Sequence, residues 1–292
     1  MFLLDNVVMD YSEKKLEKSF SGNYFDFEDK YEKLGEELVL NLKHLENSFS
    51  LNNKQAINEF STRIYFALPF LTCCSLNYKI SVEQGLEIHN TKYVSLKDRC
   101  CEYSAEEKVQ AHNYFVNSVS VSKKILSYSF NALGELESHL LNAPSKLKGF
   151  VYSSDVDVYT YLASHPSRLK ALGEKIERDL KRPFVVGTAH GAILPGLVVS
   201  TMLGGDCYFL RFSQYKRFDD GVIISDTDRE VLLKNKQKQF VLLDEDLASG
   251  NTLFSFKKTI EEILGRGVMT SAVLSSSTSR FRPDFFADYL RL

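Results

Sequence analysis

Between residues 184 and 274, short apolar runs alternate with segments of helical length, and this constrains the fold more than any other feature of the chain. Runs at 184–186, 207–212, 240–243 and 268–274 read as strands, while 192–203 and 252–265 read as helices. Strands parted by helices of this length cannot pair as hairpins. The arrangement that buries them all is a parallel sheet covered on both faces. A helix-like stretch over 156–180 leads into the first strand, and a charged, polar loop is expected between 212 and 240. In open α/β sheets, ligands bind beyond the carboxyl ends of the strands. The turns at 187–191 and 244–252 both follow strands, so both are expected on one edge.

The first half has a different texture. Leu34, Leu38, Leu42 and Leu45 recur three and four residues apart within 25–47, which makes one apolar helical stripe. Residues 53–74 form a second helical candidate, with Pro69 late in it as a kink or stop. Residues 105–142 read as one long helix or two, and only residues 2–8 hint at a strand. The expected organisation is a mainly α-helical domain over 1–148 and an α/β domain over 149–292, with the boundary close to Pro144. The second domain is expected to be a doubly wound, mostly parallel sheet.

Composition bounds the partners. The chain has 292 residues, 44% of them apolar, so it can bury a substantial core. Lys and Arg number 36 against 38 Asp and Glu, so no global charge draws it to nucleic acid or an anionic membrane. Nucleic acid is not expected as a partner. No apolar run approaches the ~18 residues of a membrane span, and the start lacks the basic leader of a signal peptide. The five cysteines are odd in number, and Cys73–Cys74 and Cys100–Cys101 are adjacent. That is neither a disulfide framework nor a metal knuckle, so reduced, mostly buried thiols and a cytoplasmic location are expected. The histidines show no i, i+4 pairing that would mark a metal cluster.

The stretch FVLLDEDLASGNTL, residues 240–253, concentrates the chemistry. Asp244, Glu245 and Asp246 follow an apolar strand and precede Ser249, Gly250, Asn251 and Thr252, where a helix begins. A helix start exposes unpaired N–H groups and positive dipole density. Gly250 lets an anion approach the backbone, and the Ser249 and Thr252 hydroxyls add donors, so a phosphate monoester fits. The nearby carboxylates can accept from sugar hydroxyls and help hold Mg²⁺ through its waters. No Lys follows the glycine, so this is not the nucleotide loop G-x-x-x-x-G-K-[ST]. The plainer reading is a strand end with acids that compensate a helix dipole.

An apolar run, two acids and a small-residue loop ending in Gly-x-Thr resembles the phosphoribosyl-pyrophosphate (PRPP) motif of type I phosphoribosyltransferases. The resemblance extends over about residues 150–292 and is nearest in layout to the hypoxanthine-guanine branch. It implies that Asp244 and Glu245 are the acid pair serving the ribose and Mg²⁺. It makes Ala248, Ser249, Gly250, Asn251 and Thr252 the 5′-phosphate loop. Residues 184–196, FVVGTAHGAILPG, resemble the family's pyrophosphate loop, with Ala189, His190 and Gly191 at the pyrophosphate. Residues 211–221, RFSQYKRFDDG, resemble its closing loop, where Arg211, Lys216 and Arg217 would meet pyrophosphate charge and Tyr215 could stack on a base. RPDFFADYL near the end resembles a segment of the same branch.

The chain departs from that pattern in three places. The second acid is Glu245 where the family has Asp, and Asp246 stands where an apolar residue is usual. Ala248 stands where the purine-using branch carries a proton-accepting Asp, and Ser276 lies near the place of its base-reading Lys. Ordinary purine salvage is therefore not expected. The resemblance implies a Mg²⁺-dependent protein that transfers phosphoribosyl from PRPP to a nitrogen nucleophile and releases pyrophosphate. Two rivals stand beside it: a non-catalytic sensor of PRPP or a nucleotide, and another α/β enzyme using the acidic strand end for a metal or a different sugar phosphate. The helical half would cap the site, support a homo-oligomer or bind a protein partner.

Overall fold

Apolar residues three and four apart build the helices of the first half. In the computed structural model, which describes residues 2–8, 30–88, 100–149, 163–212 and 219–290, α1 runs Tyr31–Ser50 and buries Leu34, Leu38, Leu42 and Leu45 along one stripe. The next helix, α2, spans Lys54–Gln84, and nearly every residue from Ile64 to Val82 is buried. A helix apolar all round must be surrounded, and α1 and α3 (Ala105–Leu126) both pack against it. Pro69 neither stops nor ends α2, contrary to expectation. Packing on its flanks holds the helix through the one backbone donor that proline lacks.

Caps set the ends. The Asn53 side chain accepts from the Ala56 amide at 3.2 Å to start α2, and Gly85 ends it in the left-handed conformation at φ 69°. Ser104 and Glu107 form a reciprocal capping box at α3. Residues 105–142 make two helices, α3 and α4 (Ala132–Leu141), and a short α5 follows over Ser145–Lys148. Residues 2–8 form no strand. Leu3–Asn6 is a 3₁₀ turn that buries Leu3 and Leu4 against α2, so the apolar run is spent as a plug.

The second half is α/β. After α6 (Pro166–Asp179) come β1 (Phe184–Ala189), α7 (Ile193–Met202), β2 (Asp206–Arg211), α8 (Asp226–Lys234), β3 (Phe240–Leu247), α9 (Asn251–Leu264), β4 (Met269–Ser276) and β5 (Phe285–Leu290). The five strands lie in the order β2-β1-β3-β4-β5, every neighbouring pair parallel. A parallel sheet buried on both faces needs strands apolar throughout, and β1 is buried at every position.

Three sequence expectations change here. The loop between 212 and 240 contains α8, whose polar face hid it and whose start is a Ser225–Asp228 capping box. The β5 strand was not foreseen, and the helix-like stretch expected over 156–180 is helix only from Pro166, where His165 caps it, while 156–162 lie outside the described residues. The strand expected at 240–243 runs on through Leu247, so the three acids stand inside β3 rather than after it.

Chain crossovers between parallel strands are right-handed. From β1 the chain crosses to β2 on one side, and from β3 it crosses to β4 on the other. The helices α7 and α9 therefore lie on opposite faces, and the sheet is doubly wound. The α7 helix packs on β1, β2, β3 and α6, while α9 packs on β3 and α8. The reversal falls between β1 and β3. Two compact units result, Met1–Ser154 and Asp155–Leu292. Among the described residues, no helix is long and apolar enough to cross a membrane.

Candidate functional site at the β1–β3 switch point

Adjacent parallel strands that send their helices to opposite faces leave a crevice at their carboxyl ends. Here β1 and β3 are those neighbours, with Gly187 in register with Leu243. Both loops singled out in the sequence leave from this crevice. The last residue of β1, Ala189, is buried and paired with Arg211 of β2, and the Ala189–His190 peptide bond is cis. His190 is buried, Gly191 half-buried, and the His190 carbonyl accepts from the Ile193 amide at 3.0 Å to open α7.

Side chains of a strand alternate between its faces. Because β3 continues through the acids, Asp244 and Asp246 take one face and Glu245 the other. The contacts agree. Asp244, 9% exposed, accepts from the Thr188 hydroxyl at 2.7 Å and from the Glu245 amide at 2.9 Å. Leu243 reaches the α7 side, where its Cδ2 lies 3.7 Å from a Cβ placed on Gly196. Glu245 follows on that same side, and its carboxylate covers Gly191 so closely that a Cβ there would lie 1.1 Å from Oε2. Only glycine at 191 admits this contact. The adjacent acids therefore part: Glu245 guards the turn after β1, and Asp244 faces the side of α9.

The loop after β3 is built on Gly250. It caps α9 at φ 84°, and an added Cβ would meet the Phe281 Cβ and the Ser279 Oγ, each at 2.7 Å. Gly250 has no side chain to cap the amides of α9, and no acid occupies the first turn. The Ser249 Oγ lies 3.4 Å from the Asn251 amide. Ala248 and Asn251 are exposed, while Ser249 and Thr252 are half-buried. The start of α9 thus presents polar backbone at the crevice. Behind Gly250, the turn after β4 is held by hydrogen bonds from Ser279 to the Phe281 carbonyl and between Ser276 and Thr278, at 2.7 and 2.8 Å.

Arg211 ends β2 in register with Ala189 and is 3% exposed. Its guanidinium donates to both oxygens of Asp219, Nη2 at 2.7 Å and Nε at 3.3 Å. Burial lowers it to about 10, an effect the facing Asp219 carboxylate opposes. Asp219 escaped the sequence reading, although an acid eight residues beyond a buried Arg was its only signal. Tyr208 donates to Asp228 at 2.6 Å and so ties β2 to α8. Lys216, Arg217 and Tyr215 lie outside the described residues. Among the described residues, no group of three or more His, Cys, Asp or Glu stands together to hold a metal.

No protein-family model matches the chain, and no curated protein matches it. Among solved structures, the C-terminal part is similar to type I phosphoribosyltransferases. A purine phosphoribosyltransferase from Pyrococcus horikoshii is 19% identical, over 46% of this chain and 88% of that one, with a TM-score of 0.37. The xanthine-guanine-hypoxanthine phosphoribosyltransferase of Helicobacter pylori is 15% identical, over 46% and 86%, with a TM-score of 0.34. A hypoxanthine phosphoribosyltransferase from Staphylococcus aureus is 14% identical, over 44% and 74%, with a TM-score of 0.36. Likenesses this distant carry no functional argument.

Proposed function

We propose that the unit Asp155–Leu292 binds PRPP with Mg²⁺ at the β1–β3 switch point and transfers its phosphoribosyl group to a nitrogen nucleophile, releasing pyrophosphate. The observation that carries this reading is the hydrogen bond from Thr188 to Asp244, which fixes an acid of β3 against β1 where both loops depart. The 5′-phosphate sits at the start of α9, on residues Ala248 to Thr252, where backbone N–H groups and the helix dipole favour an anion. Asp244, with Asp246 on the same face, accepts from the ribose hydroxyls. The turn of Ala189, His190 and Gly191 receives the pyrophosphate.

The donor set suits Mg²⁺, a hard ion that takes carboxylate oxygens and keeps several waters. Asp244 would hold it at the ribose, and when bound it would supply charge stabilisation to the departing pyrophosphate; Glu245, on the other face of β3, would meet the pyrophosphate turn rather than the same ion. The chain's own contribution is positional. It holds the anomeric carbon open to attack on the face away from pyrophosphate, fixes the phosphate, and shields the site from water.

Two observations favour a second reading, binding without turnover. Arg211 is engaged by both oxygens of Asp219, and the phosphate loop carries Ala248 where the resembling enzymes accept a purine proton. In that reading the site senses PRPP or a nucleotide. Calorimetric titration of PRPP with and without Mg²⁺ tests the shared claim. Binding should need Mg²⁺ and weaken about 30–100-fold in Asp244→Ala, the loss of a charged hydrogen-bonding partner. No binding by the wild type, or equal binding by the variant, would overturn both readings. Pyrophosphate release with a panel of nitrogen nucleophiles then separates them: release supports transfer, and tight binding without release supports sensing.

A further inference from the structure

The adjacent cysteines of the helical unit do not share one fate. Cys73 and Cys74 are fully buried in α2, and Cys207 is buried in β2. Cys100 is exposed and Cys101 half-buried, so the expectation of mostly buried thiols holds for three of the five and not for this pair. Their sulfur atoms lie 3.5 Å apart. The backbone beneath them is pinned, since the amides of Cys100 and Cys101 both donate to the Gly85 carbonyl at 3.0 Å. Two residues on, the Tyr103 hydroxyl donates to the Leu86 carbonyl at 2.9 Å, and Ser104 caps α3. Two thiols are thus held together, open to solvent, at the junction of the α2 C-terminus and the α3 N-terminus.

We propose that Cys100 and Cys101 are a reversible two-electron redox site, oxidised by a peroxide to a disulfide between neighbours. The chemistry balances. One thiol, as its thiolate, attacks the peroxide oxygen, giving a sulfenic acid and one water. The other thiol attacks that sulfur, the S–S bond forms, and a second water leaves. Two electrons pass from the sulfurs to hydrogen peroxide.

The geometry makes this a switch rather than a staple. Neighbouring Cα atoms across a trans peptide stand ~3.8 Å apart, whereas relaxed disulfides need about 4.4–6.8 Å. Closing the ring strains the peptide between the two residues, and strained, exposed disulfides are the readily reduced ones. The strain falls on the two amides that hold Gly85. That residue is fixed: its φ is 69°, and an added Cβ would meet the Cys101 carbonyl oxygen at 2.7 Å. Oxidation therefore loosens the C-terminal cap of α2. The shared hydrogen bond with Cys101 raises the Cys100 thiol above the usual range, so the pair rests as a dithiol and the attack on peroxide runs through its minor thiolate fraction.

The test treats the full chain with stoichiometric hydrogen peroxide, then alkylates the thiols and maps the peptides. Two of the five thiols should become unreactive, both in the peptide carrying Cys100 and Cys101, with that peptide lighter by two hydrogens. Excess reduced glutathione should restore both. Cys100→Ser and Cys101→Ser should each abolish the mass loss, and because Cys100 is exposed the first variant should keep its helical circular dichroism. Continued alkylation of both thiols, sulfinic acid without a disulfide, or a bridge to a second chain would overturn the proposal. So would a disulfide that survives the glutathione.

Discussion

The two units bury polar groups for different ends. The helical unit uses them as internal fasteners. Lys79 and Glu83 form an ion pair at 2.6 Å inside α2, with side chains 0% and 4% exposed, and the ammonium lies 5.9 Å from the centre of the Phe115 ring. Tyr31, Tyr114, His139 and Asn117 make a second closed group. The Asn117 amide donates to His139 Nδ1 at 3.2 Å, so the proton sits on Nε2, which reaches the Tyr31 hydroxyl at 3.2 Å. Tyr31 and Tyr114 share a hydrogen bond at 2.8 Å, and the His139 ring stacks on Tyr114 at 4.2 Å. The α/β unit instead gathers Asp244, Glu245 and the Arg211–Asp219 pair near the carboxyl ends of β1, β2 and β3. Dispersed, paired polarity specifies packing, whereas polarity gathered at a switch point is the ground for the ligand proposed above.

The sharpest break of this contrast comes from Lys79. Lys79→Ala strands the Glu83 carboxylate in the core and should destabilise the helical unit by about 3–5 kcal/mol, read as a lower urea midpoint. A change below about 1 kcal/mol would mean that the pair fastens nothing.

Next is acid. Burial holds the His139 imidazole at about 4, against 6.5 in the unfolded chain. The folded state keeps the ring neutral, so its contribution is complete above about 6.5 and is lost as pH falls from there toward 4. The loss should amount to about 3 kcal/mol. His139→Gln should flatten that part of the stability curve, as chemical denaturation across the range would show.

In the α/β unit, Gly250→Ala meets both a left-handed backbone and the Phe281 and Ser279 contacts. It should cost about 1–3 kcal/mol and weaken PRPP binding. Gly204→Ala is the control, since its φ is 58° and no atom lies within 4 Å of the added Cβ. A thermal shift equal to the control's would show that only backbone strain matters at 250. The smallest effect belongs to Thr188→Val. Losing its hydrogen bond to Asp244 should cost about 1 kcal/mol of stability and about tenfold in Mg²⁺-dependent affinity for PRPP. Unchanged affinity would mean that Asp244 needs no positioning.

Strong periodicity made much of the fold readable in advance. The leucine stripe of α1, the apolar runs of β1 and β3, and the Gly-containing turns after them all carry local signals that no neighbour overrides. Other elements lacked such a signal. Only one side of α8 is apolar enough to pack, so its sequence reads as a charged loop. Pro69 reads as a helix stop, yet neighbours on both sides keep α2 intact. The Cys pairs look alike in sequence and differ in burial, because one lies mid-helix in a core and the other in a connection between helices.

The sequence by itself determined that strands and helices alternate after residue 184, that three acids and a glycine loop come directly after one apolar run, and that helices dominate before residue 184. These follow from side-chain period and turn chemistry, which act between near neighbours. Only the tertiary structure decided which acid meets which loop. The β3 strand is drawn out to Leu247 by its pairing with β4, where Leu247 meets Ser275, and alternation along that longer strand sends Asp244 toward Thr188 and Glu245 over Gly191. Pairing with a strand some thirty residues away sets strand length, and strand length sets the face each carboxylate serves.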